Sequence, residues 1–216
     1  MSRPAADARL ERARLYLVAG ERLAAGPAAR LVPELAAAGV DVFQLREKDM
    51  DVRGLLRVGA ELAEACGGAG IPFILHDRPD VASILGVGVH VGQDDLPVEH
   101  ARRIVGDRPV GLSTHAPAEI DAAHAAAVRP DYIAVGPLYE TPTKAGRPAT
   151  GLEIARYAAT SADLPWFAIG GIDESNLGAV LDAGARRIVV VRAVAEARDP
   201  VASAAALRAR LDEVPL

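Results

Sequence analysis

Lys48, Asp77, Asp95 and Lys144 each lie just beyond a different short apolar run. If those runs are parallel strands of a β/α barrel, the four side chains gather at one mouth. Two ammonium groups and two carboxylates suit metal-assisted chemistry on a diphosphate, with the cations neutralising phosphate oxygens and the acids holding a magnesium ion. The neighbouring residues extend the pattern. Gln44-Leu45-Arg46-Glu47-Lys48 closes the second run, where strand alternation sends Gln44, Arg46 and Lys48 to one side. His76-Asp77-Arg78 closes the third run and Gly92-Gln93-Asp94-Asp95 the fourth. Magnesium takes one or two carboxylates beside water and substrate oxygens, which Asp77 and Asp95 on adjacent strand ends can supply. An N-cap is the alternative for either aspartate, since each precedes a helix. A solvated charge cluster is the alternative for residues 46–48.

The elements that must position these residues recur along the chain. Apolar, β-branched runs are centred on residues 15–18, 42–45, 71–75, 87–91, 109–112, 132–135, 166–169 and 188–191. Several are continuously apolar, as strands covered on both faces are, and each interval has room for one helix. Leu177, Val180 and Leu181 carry such a helix's apolar stripe, with Asp173 as its expected N-cap. The repetition predicts a single-domain (β/α)8 TIM barrel over residues 1–216, with 1–12 as an N-terminal extension or helix. An open doubly wound sheet fits less well. Gly86-Val87-Gly88 enters a strand instead of leaving one and lacks the third glycine of a dinucleotide fingerprint.

Loops after the last two strands of such barrels often cradle phosphate. Here they are Ile169-Gly170-Gly171-Ile172 and Val191-Arg192-Ala193. Two residues without a Cβ let backbone N–H groups approach an anion closely, although a glycine pair also makes an ordinary tight turn. The connection from Gly136 through Thr141, Thr143 and Lys144 to Pro148 is long, and long loops in compact domains are disproportionately functional.

With a formal net charge of −5 and no basic run, the chain has no electrostatic footprint for nucleic acid. The single cysteine excludes an internal disulfide and a cysteine-rich zinc site. No apolar signal core opens the sequence and no stretch approaches a membrane span, so the expected location is the cytoplasm, with small molecules as ligands. Self-association into a homo-oligomer is left open.

Taken in order, Gln-Leu-Arg-Glu-Lys, His-Asp-Arg, Gly-Gln-Asp-Asp, Gly-Leu-Ser-Thr-His, Thr-Pro-Thr-Lys and Ile-Gly-Gly-Ile closely resemble the motifs of the thiamine-phosphate synthase family, over almost the whole chain. The closing stretch 165–171, with 183–194, resembles actinobacterial members. The resemblance implies a transferase of thiamine biosynthesis. It couples 4-amino-5-hydroxymethyl-2-methylpyrimidine diphosphate with thiazole phosphate by dissociative, Mg2+-assisted substitution. It assigns pyrimidine and diphosphate contacts to Gln44, Arg46, Lys48, His76, Ser113 and Lys144, with Lys48, Ser113 and Lys144 serving the leaving group. It assigns magnesium to Asp77 and Asp95, and the thiazole phosphate to Thr141, Thr143, Gly171, Val191 and Arg192. The chain departs from many relatives at His76, where Asn is usual, at Ala116, where a hydroxyl is usual, and at Arg192, where Ser is frequent.

Two alternatives remain. The related thiazole tautomerases share the framework but move protons on thiazole phosphate with a histidine near the position of His115; the diphosphate lysines and the acid pair favour the synthase. A barrel can also bind phosphate ligands without catalysis. His90, His100 and His124 are expected to be a strand residue and two helix residues, Trp166 core, and Arg186 and Arg187 residues of the opposite rim.

Overall fold

The computed structural model describes residues 8–141 and 148–216. Its barrel strands are β1 (Leu15–Ala19), β2 (Val42–Leu45), β3 (Phe73–His76), β4 (Gly88–Val91), β5 (Val110–Thr114), β6 (Tyr132–Val135), β7 (Trp166–Ile169) and β8 (Ile188–Val190), and Arg22–Leu23 pairs with Gly26–Pro27 in a small antiparallel hairpin outside the barrel. Each barrel strand pairs in parallel with its sequence neighbours, and β1 pairs with both β2 and β8, which closes the barrel. The TIM barrel expected from the sequence is therefore the fold. Several boundaries differ from the apolar runs by a residue or two, and two of the differences matter for the site. The third run loses Ile71, whose N–H bonds back to Cys66 at the preceding helix end. The fifth extends to Thr114, which puts Ser113 inside a strand rather than in a loop.

Helices α1 (Ala28–Ala37), α2 (Val52–Ala69), α3 (Pro79–Leu85), α4 (Val98–Val105), α5 (Pro117–Ala125), α6 (Glu153–Ser161), α7 (Leu177–Asp182), α8 (Arg192–Ala195) and α9 (Pro200–Asp212) follow the strands, and a short turn of helix, Ala8–Arg12, precedes β1. Their ends follow from local chemistry. Asp51 accepts the Gly54 N–H at 2.7 Å to start α2, and Gly70 in the left-handed region stops it. Gly86 does the same for α3, so the first glycine of the Gly-Val-Gly segment is a helix stop. Asp173 does not cap α7: that helix begins after Asn176, and the Asp173 carboxylate instead holds Ser175 in the preceding turn.

Alternation divides each strand between two apolar layers. Leu15, Leu17, Phe43, Leu75, Val89, Ile133 and Trp166 face the helices. Tyr16, Val18, Val42, Ile74, Tyr132, Phe167 and Val189 fill the barrel interior. Burying one such large side chain is worth about 1.5–3 kcal/mol, so this interior layer is a rigid floor. At the N-terminal rim, Asp41 accepts the N–H groups of Arg14 and Leu15 and pairs with Arg208 of α9, which ties the last helix to the barrel. Arg186 and Arg187 lie at this rim, where both donate to backbone carbonyls. Among the described residues, no helix is long and apolar enough to cross a membrane.

Candidate active site

Above the aromatic floor lies a cavity of about 410 Å³. It is lined by Gln44, Arg46, His76, Ser113, Thr141, Gly171, Val191 and Arg192, all expected at the site, and also by Tyr16, His90, Ile169 and Asp173. Parity explains much of the convergence: Tyr16 and Val18, Val42 and Gln44, and Tyr132 and Ala134 are the inward positions of their strands, and Arg46 stands one residue past the end of β2. Lys48 does not line the cavity. β2 ends at Leu45, so the alternation that points Gln44 inward does not extend to Lys48, which stands exposed on the following loop. Thr143 and Lys144 lie outside the described residues. Glu47 accepts the Glu21 N–H at 2.7 Å and fixes the loop after β1.

The cavity floor is polar by construction. Gln44 is only 4 % exposed; its carbonyl accepts the Tyr16 hydroxyl at 2.7 Å and its amide nitrogen lies 3.1 Å from His76 Nδ1. The Tyr16 and Tyr132 hydroxyls are 2.8 Å apart, His90 Nδ1 lies 3.2 Å from the Tyr132 hydroxyl, and His90 Nε2 lies 3.0 Å from Ser113 Oγ. Gly111 makes this packing possible. A Cβ there would lie 2.2 Å from the Tyr132 ring and 2.5 Å from His90 Nδ1. Burial pushes both phenols above their ordinary range, so each remains a hydroxyl. His90 thus joins the site instead of being a plain strand residue. The signal that could have found it is parity, since it sits between Val89 and Val91, which face the helices.

At one edge of the floor His76 Nε2 lies 2.7 Å from Asp77 Oδ2. The angle is poor for a hydrogen bond, and this nitrogen and Asp77 Oδ1 are both buried without a well-formed partner among the described residues. Asp77 occupies the left-handed region at φ 56°, unusual for a residue with a Cβ. Burial raises its pKa, but His76 outweighs that and holds the carboxyl below its usual range. Asp95 lies against it. Burial and the Asp77 carboxyl raise Asp95, although the Gly92 N–H at 2.7 Å pulls the other way. Neither aspartate is an N-cap: α3 begins after Arg78, and Asp95 reaches back to Gly92.

Two facing carboxylates with an orphaned oxygen fit a divalent cation, which would remove their mutual repulsion. No group of three or more His, Cys, Asp or Glu poised for a metal occurs among the described residues. Magnesium, the ion expected from the sequence, needs only one or two protein carboxylates.

The opposite end is built from loop backbone. Gly170 and Gly171 have φ of 104° and 66°, and a Cβ on Gly170 would lie 2.5 Å from Pro137 Cα. The glycine pair is therefore needed both for the turn and for packing against the β6 loop. Arg192 stands at this end close enough to Asp173 to lower its pKa, behind the larger effect of the Ser175 hydrogen bond. His115 does not line the cavity; its Nδ1 bonds the Gly136 carbonyl and its N–H bonds Glu119 at 2.6 Å.

Asp77 and Asp95 do not themselves line the cavity but stand behind His76, which does. A closed barrel with an acid pair beside a polar-floored cavity and glycine loops at its far side has the make-up of a phosphate-handling TIM-barrel enzyme. The family model for thiamine monophosphate synthase matches residues 15–194, and the chain belongs to that family. The thiamine-phosphate synthase of Thermobifida fusca is 51% identical over 206 residues, spanning 94% of each chain. That of Thermus thermophilus is 50% identical over 202 residues, covering 92% of this chain and 97% of its own. Among solved structures, a thiamine phosphate pyrophosphorylase from Pyrococcus furiosus superposes with a TM-score of 0.85 at 29% identity, covering 96% of this chain and 98% of its own.

Proposed function

We propose that this cavity joins aminopyrimidine methyl diphosphate to thiazole phosphate, giving thiamine phosphate and diphosphate. The observation that carries the reading is the Asp77 and Asp95 pair beside His76 at the edge of the polar floor, opposite the glycine loops. The arrangement supplies one end for a metal-bound diphosphate and another for a monophosphate. Family membership supports the same chemistry.

In the reaction, the bond from the pyrimidine methylene carbon to the diphosphate oxygen breaks, and its electron pair leaves with diphosphate. The cation left on the electron-rich aminopyrimidine is captured by the thiazole nitrogen lone pair, forming the new C–N bond. Magnesium held by Asp77 and Asp95 would neutralise charge developing on the leaving group. Arg46 lines the cavity and adds positive charge; Lys48 and Lys144 serve the diphosphate from the loops. Gln44 and the aromatic floor orient the pyrimidine, while Thr141, Thr143, Gly171 and the backbone at Val191 and Arg192 hold the thiazole phosphate. No side chain has to act as a nucleophile. The contacts that hold His115 away from the cavity disfavour the tautomerase reading. We further infer that the enzyme works in the cytoplasm on freely diffusing small molecules.

The test supplies both heterocyclic phosphates with and without Mg2+ and measures thiamine phosphate. Magnesium-dependent product, with severe loss in Asp77→Ala and Lys144→Ala, is the expected result. Isomerised thiazole without coupling would indicate a tautomerase, and tight binding without turnover a non-catalytic barrel.

A further inference from the structure

The glycine end of the cavity carries more than backbone. Among the described residues that line the cavity, the carboxylates are Asp173 and Glu196, and both stand at this end beside Arg192. The barrel puts them there. β8 lies on β7 with Val189 beside Ile169, so the loops that leave the two strands start side by side, one leading to Asp173 and the other to Arg192. Glu196 follows one turn later at the end of α8, where its N–H bonds the Arg192 carbonyl at 3.0 Å, and residues four apart share a helix face. Asp173 is held in place. Its Oδ1 takes both the N–H and the hydroxyl of Ser175, at 2.9 and 2.6 Å. Its own N–H bonds Asn176 Oδ1 at 3.0 Å, and the Asn176 amide in turn holds the Gly171 carbonyl at 2.8 Å. The Ser175 hydrogen bond, and behind it Arg192, keeps the Asp173 carboxyl below its usual range.

One guanidinium flanked by two carboxylates treats anions of different charge differently. A phosphate monoester carries a charge of about −1.5 to −2 at neutral pH, and a diphosphate ester carries more. A compact monophosphate can place its oxygens on Arg192 and the glycine-loop N–H groups. A second phosphoryl group would have to lie beyond the single guanidinium, against a carboxylate. We propose that Arg192, Asp173 and Glu196 form a charge filter that admits a monophosphate to the glycine end and turns a diphosphate away. This deepens the proposed function and rests on it: both substrates are anionic esters of a heterocycle, and the filter keeps the aminopyrimidine diphosphate out of the thiazole site. Arg192 is the attractive element and the two acids are the repulsive one, and discrimination needs both. The resemblance, with Ser frequent at position 192, gives that side chain no part. In this chain the acids make the guanidinium necessary. Without it a phosphate would face two carboxylates with no side-chain cation at that end among the described lining residues.

Displacement calorimetry on the full chain tests this, in low-salt buffer without Mg2+, with thiazole phosphate bound and inorganic phosphate or inorganic diphosphate as competitor. In the wild type, diphosphate should displace no better than phosphate despite its greater charge. Asp173→Asn combined with Glu196→Gln keeps the shape of both side chains, and the asparagine oxygen can still accept from Ser175. This double variant should make diphosphate about five- to tenfold better as a competitor relative to phosphate, and the gain should fade at ~0.5 M salt. A wild-type chain that prefers diphosphate, an unchanged ratio in the variant, or a gain that salt does not reduce overturns the proposal. Arg192→Ser should weaken thiazole phosphate about tenfold, the scale of one lost charge-assisted hydrogen bond, and leave the unphosphorylated thiazole alcohol within about twofold. Equal losses would make Arg192 structural only and would also overturn it. If the wild type binds thiazole phosphate but forms no thiamine phosphate, the coupling reaction falls and the displacement series still decides the filter. If it binds no thiazole phosphate, both fall.

Discussion

Replacing Gly170 by alanine should be among the most damaging single-methyl additions to this protein. The backbone there has a φ of 104°, which costs a residue with a Cβ about 1–2 kcal/mol. The added carbon would also lie 2.5 Å from Pro137 Cα and Cβ and 2.9 Å from the Leu138 N. These are backbone or ring atoms that cannot swing aside, and forcing a methyl into such a contact costs a further ~2–3 kcal/mol. The expected loss is therefore about 3–5 kcal/mol, or roughly 6–20 °C in Tm for a chain of this size. Two controls isolate the contributions. Gly151, with φ 71° and nothing within 4 Å of a built Cβ, should lose only about 1–2 kcal/mol on change to alanine. Gly68, inside α2 and equally unobstructed, should gain about 0.5–1 kcal/mol. Urea and thermal unfolding of the three variants measure the series. If Gly170→Ala falls within about 1 kcal/mol of Gly151→Ala, the close packing of the β6 and β7 loops that builds the phosphate end is wrong.

Four further outcomes follow from the same geometry. Asp95→Asn should remove most Mg2+ affinity while slightly raising the Tm of the metal-free protein, because the raised Asp95 carboxyl is an unfavourable charge against Asp77; for the wild type, titration calorimetry should show Mg2+ affinity falling as pH drops through the raised Asp95 pKa, with Asp77 still ionised below it. Gln44→Leu leaves the Tyr16 hydroxyl and His76 Nδ1 without their partner, and should cost about 2–4 kcal/mol by denaturant unfolding. Burial pushes the Cys66 thiol up to about 12, so a thiol reagent at neutral pH should react with it only in the unfolded protein; rapid native labelling would contradict the buried placement.

The barrel was legible because parallel strands covered on both faces read as apolar runs, and every such run became a strand. That Gln44, Arg46, His76 and Ser113 line the cavity was legible because their motifs fall at or just past strand ends. For Lys48 parity gave no direction, since the strand stops at Leu45 and the lysine stands on the loop beyond it. Asp173 was given a cap that begins three residues later, because a turn stands between it and α7. Tyr16, His90 and Tyr132 escaped notice for a different reason. Each sits in an otherwise apolar run and looks like core, and only pairing across strands, as His90 with Gly111 and Gly111 with Tyr132, reveals that three polar tips meet. No single stretch of sequence contains that information.

A crystal structure with aminopyrimidine diphosphate, thiazole phosphate and Mg2+, trapped in a slow variant such as Lys144→Ala, tests the central claim most directly. The diphosphate and metal should lie against Asp77 and Asp95, the pyrimidine over Gln44 and Ser113, and the thiazole phosphate against Gly171, Val191 and Arg192. Finding the metal away from the two aspartates, or both phosphates at the glycine loops, would contradict the account.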